Sequence, residues 1–273
     1  MTGHPERVVR ALSWNLFHGR DFPPEPGLFT WRSRVLRVTE RGAAYAQVNR
    51  PLLPEFSQVL ARLSWDLAFL QEAPPRWLSP LALACSAEGE LALTSRNGLA
   101  PLRAAAARLS PDLIASNEGG SNQVLLRPPW RAARTHRVVL TERPERRVLL
   151  LVEATGPGDA RLCAGCLHAS RGAIPAARDV ARAAETATEW AGDRPLLLGG
   201  DFNVRPEEDP RLYGRLGLGP ALAGSIDQLV TRGAEVVDGP TLLPPGAREL
   251  RDRSGLLLRL SDHPVVVGSF GMR

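Results

Sequence analysis

Apolar residues along the chain fall into two patterns, short runs with period-two alternation and stripes at helical spacing, and the two are interleaved from end to end. Val8 to Leu16 is strand-like: Leu12, Trp14 and Leu16 share one face, Ser13 and Asn15 the other, so Asn15 projects away from an apolar layer. Phe56, Val59, Leu60 and Leu63 fall at i, i+3, i+4 and i+7, the stripe of a core-facing helix. Leu67 to Gln71 reads as the next strand, with Glu72 at its end. Gln123 to Leu126 is a short strand, Arg137 to Leu140 and Arg147 to Glu153 form a hairpin through Pro144, and Arg161 to His168 is a further strand. Val180, Ala184, Ala187 and Trp190 mark a helix over Pro175 to Trp190, with Pro175 in its first turn. It leads into Leu196 to Pro206, LLLGGDFNVRP, an apolar run that stops at Gly199 and Gly200 and then presents Asp201 and Asn203. Glycines there let the backbone leave the sheet at angles other residues resist. Ile226 to Thr231 and Pro264 to Phe270 complete the strands, the last directly after Ser261, Asp262 and His263.

Strands and helices mixed in this way predict an α/β fold of two mixed sheets packed together with helices outside, in preference to one parallel sheet. With 273 residues and 44% hydrophobic content the chain can bury a large core, and no Ser/Gly linker, low-complexity tract or repeat divides it. The expectation is a single domain over 1–273. Three Pro-rich stretches, Asp21 to Gly27, Pro74 to Pro80 and Gly239 to Gly246, read as surface loops.

Charge adds little to this picture. The formal net charge is +5, and all 34 basic residues are Arg because the chain has no Lys. Such a bias fits the Ala, Leu, Pro and Gly richness of a GC-rich coding sequence, and the charge permits nucleic acid as a partner without arguing for it. The N-terminal MTGHPERVVRALSWN lacks a basic start followed by a long apolar run, and no apolar stretch is long enough to span a bilayer. Three cysteines, an odd number, build no disulfide framework in a chain this size. The expectation is a cytoplasmic protein without an export signal, a membrane span or an obligate protein partner.

Chemistry concentrates in separated segments, each at the edge of a strand: SWN at 13 to 15, FLQE at 69 to 72, LHAS at 167 to 170, GDFN at 200 to 203, SIDQL at 225 to 229 and SDHP at 261 to 264. Their order and positions resemble the endonuclease/exonuclease/phosphatase superfamily, over a span from Asn15 to His263. The resemblance implies a four-layered α/β/β/α sandwich of two mixed sheets flanked by helices. It also implies hydrolysis of phosphate esters with a divalent metal, Mg²⁺ with Mn²⁺ as a substitute. Such a reaction needs a hard cation, an oriented water and donors aimed at the charge that develops in the transition state. Glu72 suits the cation, and the matching family positions add Asn15 and Asp262.

The same carry-over places His168, Asp201, Asn203, Asp227 and His263 around the phosphate. A histidine steadied by a carboxylate is suited to work near neutral pH, and Asp227 is the partner the resemblance assigns to His263. In the family that pair is drawn either as activating the attacking water or as stabilising the phosphate, while Asp201 competes for the role of base and could instead orient the water or bind a second metal. Asn203 has an amide suited to a phosphoryl oxygen, or to a turn after the strand. Asn122, in SNQVLLR, matches a weaker family pattern and is carried as substrate-binding, with a turn residue as the alternative. His168 resembles the deoxyribonuclease, 5-phosphatase and sphingomyelinase branches rather than abasic-site endonucleases, and Phe17 stands where some members have Asp. The substrate expected first is a phosphodiester such as nucleic acid. A phosphomonoester of an inositol, another small molecule or a lipid comes second, and a catalytically silent binding module third.

Two other groupings have plainer readings. Cys163, Cys166 and His168 have a zinc-like spacing, but on a strand Cys163 points away from the other two, so the cysteines read as core residues. The six Arg and one His from Arg131 to Arg147 read as the solvated edge of a hairpin rather than a phosphate-tracking stripe, with Glu142 and Glu145 breaking the positive field. Trp31 and Trp77 lie in Pro-bordered segments as core covers or stacking platforms, and Arg20 to Trp31 is a candidate substrate-side loop.

Overall fold

The computed structural model describes residues 7–95 and 97–272, so the first six residues of the N-terminal reading lie outside the described residues. In chain order the strands are β1 (Arg7–Asn15), β2 (Glu40–Arg41), β3 (Ala46–Gln47), β4 (Leu67–Ala73), β5 (Glu88–Leu93), β6 (Ser121–Leu126), β7 (Arg131–Thr141), β8 (Arg147–Thr155), β9 (Arg161–His168), β10 (Leu196–Asp201), β11 (Asp227–Arg232), β12 (Glu235–Leu242), β13 (Glu249–Arg251), β14 (Leu257–Arg259) and β15 (Val266–Met272). The helices are α1 (Trp31–Leu36), α2 (Leu53–Arg62), α3 (Leu78–Ala84), α4 (Ala100–Leu109), α5 (Pro111–Ile114), α6 (Ala173–Ala191) and α7 (Leu212–Arg215).

One sheet has the order β12-β15-β1-β4-β6-β5 and the other β11-β10-β9-β8-β7, with two small pairs, β2-β3 and β13-β14, beside them. Both large sheets are antiparallel except for one central parallel pair each, β1 with β4 and β9 with β10. Period-two alternation sorts each strand's side chains into two layers. Val9, Ala11, Phe69, Cys166 and Leu197 fill the space between the sheets. On the outer side of the first sheet Leu12, Trp14 and Leu16 pack on Phe56 and Leu60 of α2 and on Trp77. Outside the second, Leu149, Leu151, Cys163 and Leu198 pack on the small-residue stripe of α6, Ala176, Val180, Ala183 and Ala187. The result is helix, sheet, sheet, helix, as the resemblance implies. Cys163 and Cys166 face opposite layers, and the cysteines are free and buried.

The structure corrects several readings. Pro74 to Pro80 is not a surface loop: it contains a one-turn 3-10 helix and the start of α3, and Trp77 is buried in the core. Asp21 is buried as well, and Gly239 to Leu242 belongs to β12, an edge strand whose irregular register accommodates Pro240. Nor does β10 stop at its glycines: Gly199 and Gly200 are paired with β9 and β11 on both sides, and the strand runs on to Asp201. These glycines serve close approach instead. A Cβ at Gly199 would lie 2.7 Å from the ring of Phe69 across the sheets, and one at Gly200 would lie 2.0 Å from the Leu167 carbonyl oxygen. Among the described residues no helix is long and apolar enough to cross a membrane.

Candidate active site

The two parallel pairs end at the same rim, and this juxtaposition builds the site. Asn15 is the last residue of β1 and is paired with Gln71 of β4, which puts Glu72 one step further on; His168 and Asp201 are the last residues of β9 and β10 and are paired with each other. The carboxyl ends of neighbouring parallel strands leave side chains free to converge on a ligand, the general reason α/β sites form there. Here two such ends, one from each sheet, face each other. Asn15 Nδ2 donates to Asp201 Oδ2 at 3.1 Å across the gap, and His168 Nε2 lies 3.4 Å from the same oxygen. His168 Nδ1 is 3.7 Å from Glu72 Oε1, so one ring spans both carboxylates.

The final segment closes the constellation. Ser261 Oγ donates to the Asn15 carbonyl at 2.7 Å and accepts the His263 amide at 3.1 Å, which fixes the loop of Asp262 and His263 to the end of β1. His263 Nδ1 is 2.9 Å from both oxygens of Asp227, at the start of β11. Its other nitrogen, Nε2, faces Asp201 at 3.7 Å and Asp262 at 3.8 Å. Asn203 is held by its backbone N–H on Asp201 Oδ1 at 3.1 Å, and its amide donates to the Ala169 carbonyl at 3.0 Å. Phe17, His18, Glu72, Asn203 and Ser261 all have φ between +49° and +61°. Such backbone costs about 1–3 kcal/mol per residue and tends to collect where function demands a particular direction.

Burial and neighbouring charge set the protonation of these groups. Burial pushes His168 down to about 3, with Arg147, His263 and His18 adding to the effect and Glu72 opposing it, so the ring is neutral. His263 is the opposite case: burial works against its charge, but the hydrogen bond and charge of Asp227, with Asp201 and Asp262 behind them, raise it to about 10. Burial also lifts Asp201, to about 7, with His263 pulling the other way and Asp227 adding to the rise. Because His168 is neutral, its contact with Glu72 is polar rather than ionic. Glu72 is held down to about 2 against burial by the charges of His18, His168, His263 and Arg20, the His168 ring being protonated in the acid range where Glu72 titrates.

Glu72, His168, Asp201, Asn203, Asp262 and His263 line one cleft of about 340 Å³. Asn15 and Asp227 stand behind it, holding Asp201 and His263. Asn122 lies outside: its buried amide donates to the Val148 carbonyl at 2.7 Å and ties β6 to β8 across the sheets. Charged and titratable cleft residues not singled out from sequence as site residues include His18, Glu145, Arg147 and Arg171, while Arg20 was named only as the start of a candidate substrate-side loop. His18 Nε2 lies 3.1 Å from Glu72 Oε2. The signal for His18 and Arg20 was their place just after the first-strand Asn, in NLFHGR. Arg147 opens β8 and is nearly buried, whereas Arg137 and Arg146 of the same hairpin bond to carbonyls of β5.

The donor set fits a hard divalent cation. Glu72 and Asp262 are oxygen donors that line the same cleft closely enough for Glu72 to raise Asp262, whose carboxyl is lifted chiefly by burial. Asn15 Oδ1 already accepts the Phe17 N–H at 2.9 Å, leaving one lone pair. Asp201, Asp227 and His263 also gather, with one ligand atom from each within 4.8 Å of the others. In that second group the His263 ring itself supplies the cation, so Glu72 and Asp262 are the carboxylates with a claim on a metal.

Two mixed sheets with helices on their outer faces and this rim of carboxylates and histidines define a phosphoesterase-type hydrolase fold. The family model described as the Endonuclease/Exonuclease/phosphatase family matches residues 12–263. This chain belongs to that family, whose enzymes generally use divalent metal ions. Similar solved structures include an endonuclease/exonuclease/phosphatase family protein from Bacteroides thetaiotaomicron, with a TM-score of 0.66 at 15% identity, covering 99% of this chain and 100% of that one. TDP2 from Caenorhabditis elegans has a TM-score of 0.61 at 17% identity, with 99% and 78% coverage. The mannosyl-6-phosphatase Bt3783 of Bacteroides thetaiotaomicron has a TM-score of 0.64 at 14% identity, with 96% and 99% coverage. At these identities the likeness is one of fold. No curated protein matches the sequence.

Proposed function

We propose that the chain is a Mg²⁺-dependent phosphoesterase that hydrolyses phosphodiesters, with Glu72 and Asp262 holding the ion and Asn15 beside them. The observation that supports this best is the convergence of Glu72, His168, Asp201 and His263 from both sheets on one cleft that also presents Arg20 and Arg147. When bound, the ion would supply a positive charge to the phosphate oxygens. The cationic His263, held by Asp227, directs Nε2 towards the same space and donates to a phosphoryl oxygen. Arg20 and Arg147 add charge for an anionic substrate. Asp201, held by Asn15 and the Asn203 backbone, accepts the proton of the attacking water. His168, neutral between Glu72 and Asp201, keeps the two carboxylates apart, and Asn203 turns its second amide hydrogen to the phosphate.

The reading includes one domain over 1–273, supported by the fact that neither sheet makes the cleft alone. A phosphomonoester is the second reading, since its dianion would be met by Arg20 and Arg171 together with Arg147, which is ion-paired with Glu145 of the cleft at 2.7 Å. Turnover of bis(p-nitrophenyl) phosphate and p-nitrophenyl phosphate with Mg²⁺ or Mn²⁺ separates them. Preference for the diester supports the first and preference for the monoester the second. No turnover of either, or of DNA, RNA, inositol phosphates and nucleotides, favours a silent binding module.

A further inference from the structure

The segments 22–38 and 99–113 carry more than half of the exposed large hydrophobic side chains among the described residues. Trp31, Val35 and Leu36 stand out from α1, and Leu102, Leu109 and Leu113 from α4 and α5. Trp31 and Leu102 are 67% and 69% exposed, far beyond what packing on a core leaves. Helical spacing makes these stripes rather than scatter: Trp31 and Val35 are i, i+4, and Leu102 and Leu109 are i, i+7. The two segments are neighbours. Asn49 Nδ2 bonds both the Ser33 carbonyl at 2.9 Å and Ser110 Oγ at 3.0 Å, and Ser110 Oγ also donates to the Arg34 carbonyl.

The fully exposed charged residues of these two segments are all basic. Arg32, Arg34, Arg37 and Arg108 are exposed among the apolar side chains. The acidic residues nearby are engaged in hydrogen bonds: half-exposed Glu25 accepts backbone N–H groups of Ala43 and Tyr45, half-buried Glu40 accepts from Thr30, and Asp112 is buried against Gln47. A face of Trp and aliphatic side chains with arginines at its border matches the physical profile of a surface that inserts shallowly into a lipid interface. It also adjoins the cleft. Phe17 lines the cleft and packs edge-on against Phe22 at 5.7 Å between ring centroids; Phe22 meets Phe29 at 5.7 Å, and the Arg34 guanidinium lies 4.8 Å over the Phe29 ring.

We propose that α1, α4 and α5 form a docking surface for an anionic lipid bilayer, placing the mouth of the cleft near the headgroup layer. Trp31 and Phe22 are the exposed rings in a patch otherwise made of aliphatic side chains, which insert into hydrocarbon but give a base nothing to stack on, and this balance favours a bilayer over a nucleic acid. A two-fold pairing of this face with itself would bring arginines of like charge together, which sets it apart from a dimer interface. Binding to a bilayer satisfies both the apolar stripes and the arginines.

The test is co-sedimentation of the full chain with phosphatidylcholine vesicles, with and without phosphatidylglycerol. Binding is expected only with phosphatidylglycerol, and to weaken with salt. The combined Arg32→Gln, Arg34→Gln and Arg37→Gln variant is expected to bind roughly a hundredfold more weakly. Trp31→Ala with Leu36→Ser is expected to abolish stable sedimentation. Leu83→Ser, at an 82% exposed position on α3 away from this surface, is expected to leave binding unchanged. All changes are at exposed positions, and circular dichroism verifies the fold. Absence of vesicle binding overturns the proposal, as does binding that the patch variants leave intact. A dimer split by the patch variants, or oligonucleotide binding lost in them, in a protein that ignores vesicles overturns it in favour of that partner.

Discussion

Asn15 Nδ2 donates to Asp201 Oδ2 at 3.1 Å, a bond between the last residue of β1 and the last residue of β10 that joins the two sheets at the rim of the cleft. The other end of the same amide accepts the Phe17 N–H, so one side chain sets both the buried carboxylate and the turn that carries His18. Asn15→Leu removes both bonds and leaves Asp201 short of a donor. The expected cost is about 1–3 kcal/mol, read by urea denaturation, together with a large loss of activity. A variant with wild-type stability and turnover would show that the bond is dispensable.

His263 and Asp227 form a second such pair, with Nδ1 at 2.9 Å from both carboxylate oxygens. With its value raised to about 10, the ring stays cationic through neutral pH. Its contribution to stability is therefore fully present below the ordinary 6.5 and lost as the pH rises through about 10. Asp227→Asn is expected to bring the His263 titration down in an NMR pH series of the metal-free protein. Coincident titrations in the two proteins would contradict the pairing.

Asp21, which follows the cleft residue Arg20 but points into the core, offers a further pH effect. Its Oδ2 accepts the Val48 N–H at 2.9 Å, its Oδ1 is buried without a partner, and burial raises the carboxyl well above its ordinary 3.8. The folded protein thus holds a proton that the unfolded chain releases, and stability falls as the pH rises past 3.8. Asp21→Asn keeps an acceptor for Val48 without the charge. It is expected to outlast wild type in urea at neutral pH and to lose that advantage in acid. A wild type that is the more stable protein at neutral pH would contradict this.

The glycines of β10 give a steric test. A Cβ at Gly200 would meet the Leu167 carbonyl at 2.0 Å, whereas one at Gly214 meets nothing within 4 Å. Gly200→Ala is expected to separate β9 from β10 and lower the melting temperature sharply, because backbone cannot step aside. Gly214→Ala, within α7, is expected to be neutral or to stabilise by about 0.5–1 kcal/mol. Equal melting temperatures for the two variants would remove the close-approach explanation.

Much of the site was legible because strand periodicity carries direction. The alternation of Val8 to Leu16 already turned Asn15 away from the apolar face, and the ends of three apolar runs marked Glu72, His168 and Asp201. What stayed hidden depends on contacts between distant segments. Nothing local separates Arg147 from Arg137 and Arg146; only the placement of β8 beside His168 does. His18 faces Glu72 because of a positive φ that its residue type does not announce. β5 and β12 went unread because edge strands are half-exposed and alternate weakly, and the glycines of β10 were misread because close approach across a sheet has no local signature.

Hydrolysis of bis(p-nitrophenyl) phosphate with and without Mg²⁺, by wild type and by Glu72→Gln, tests the phosphoesterase reading most directly. Glutamine retains the size of the side chain and an acceptor for His18 while removing the charge that would hold the ion. The expected result is Mg²⁺-dependent turnover by wild type and a loss of roughly a hundredfold or more in the variant, with circular dichroism unchanged. Turnover by pure Glu72→Gln at the wild-type rate, with the same metal dependence, would contradict it.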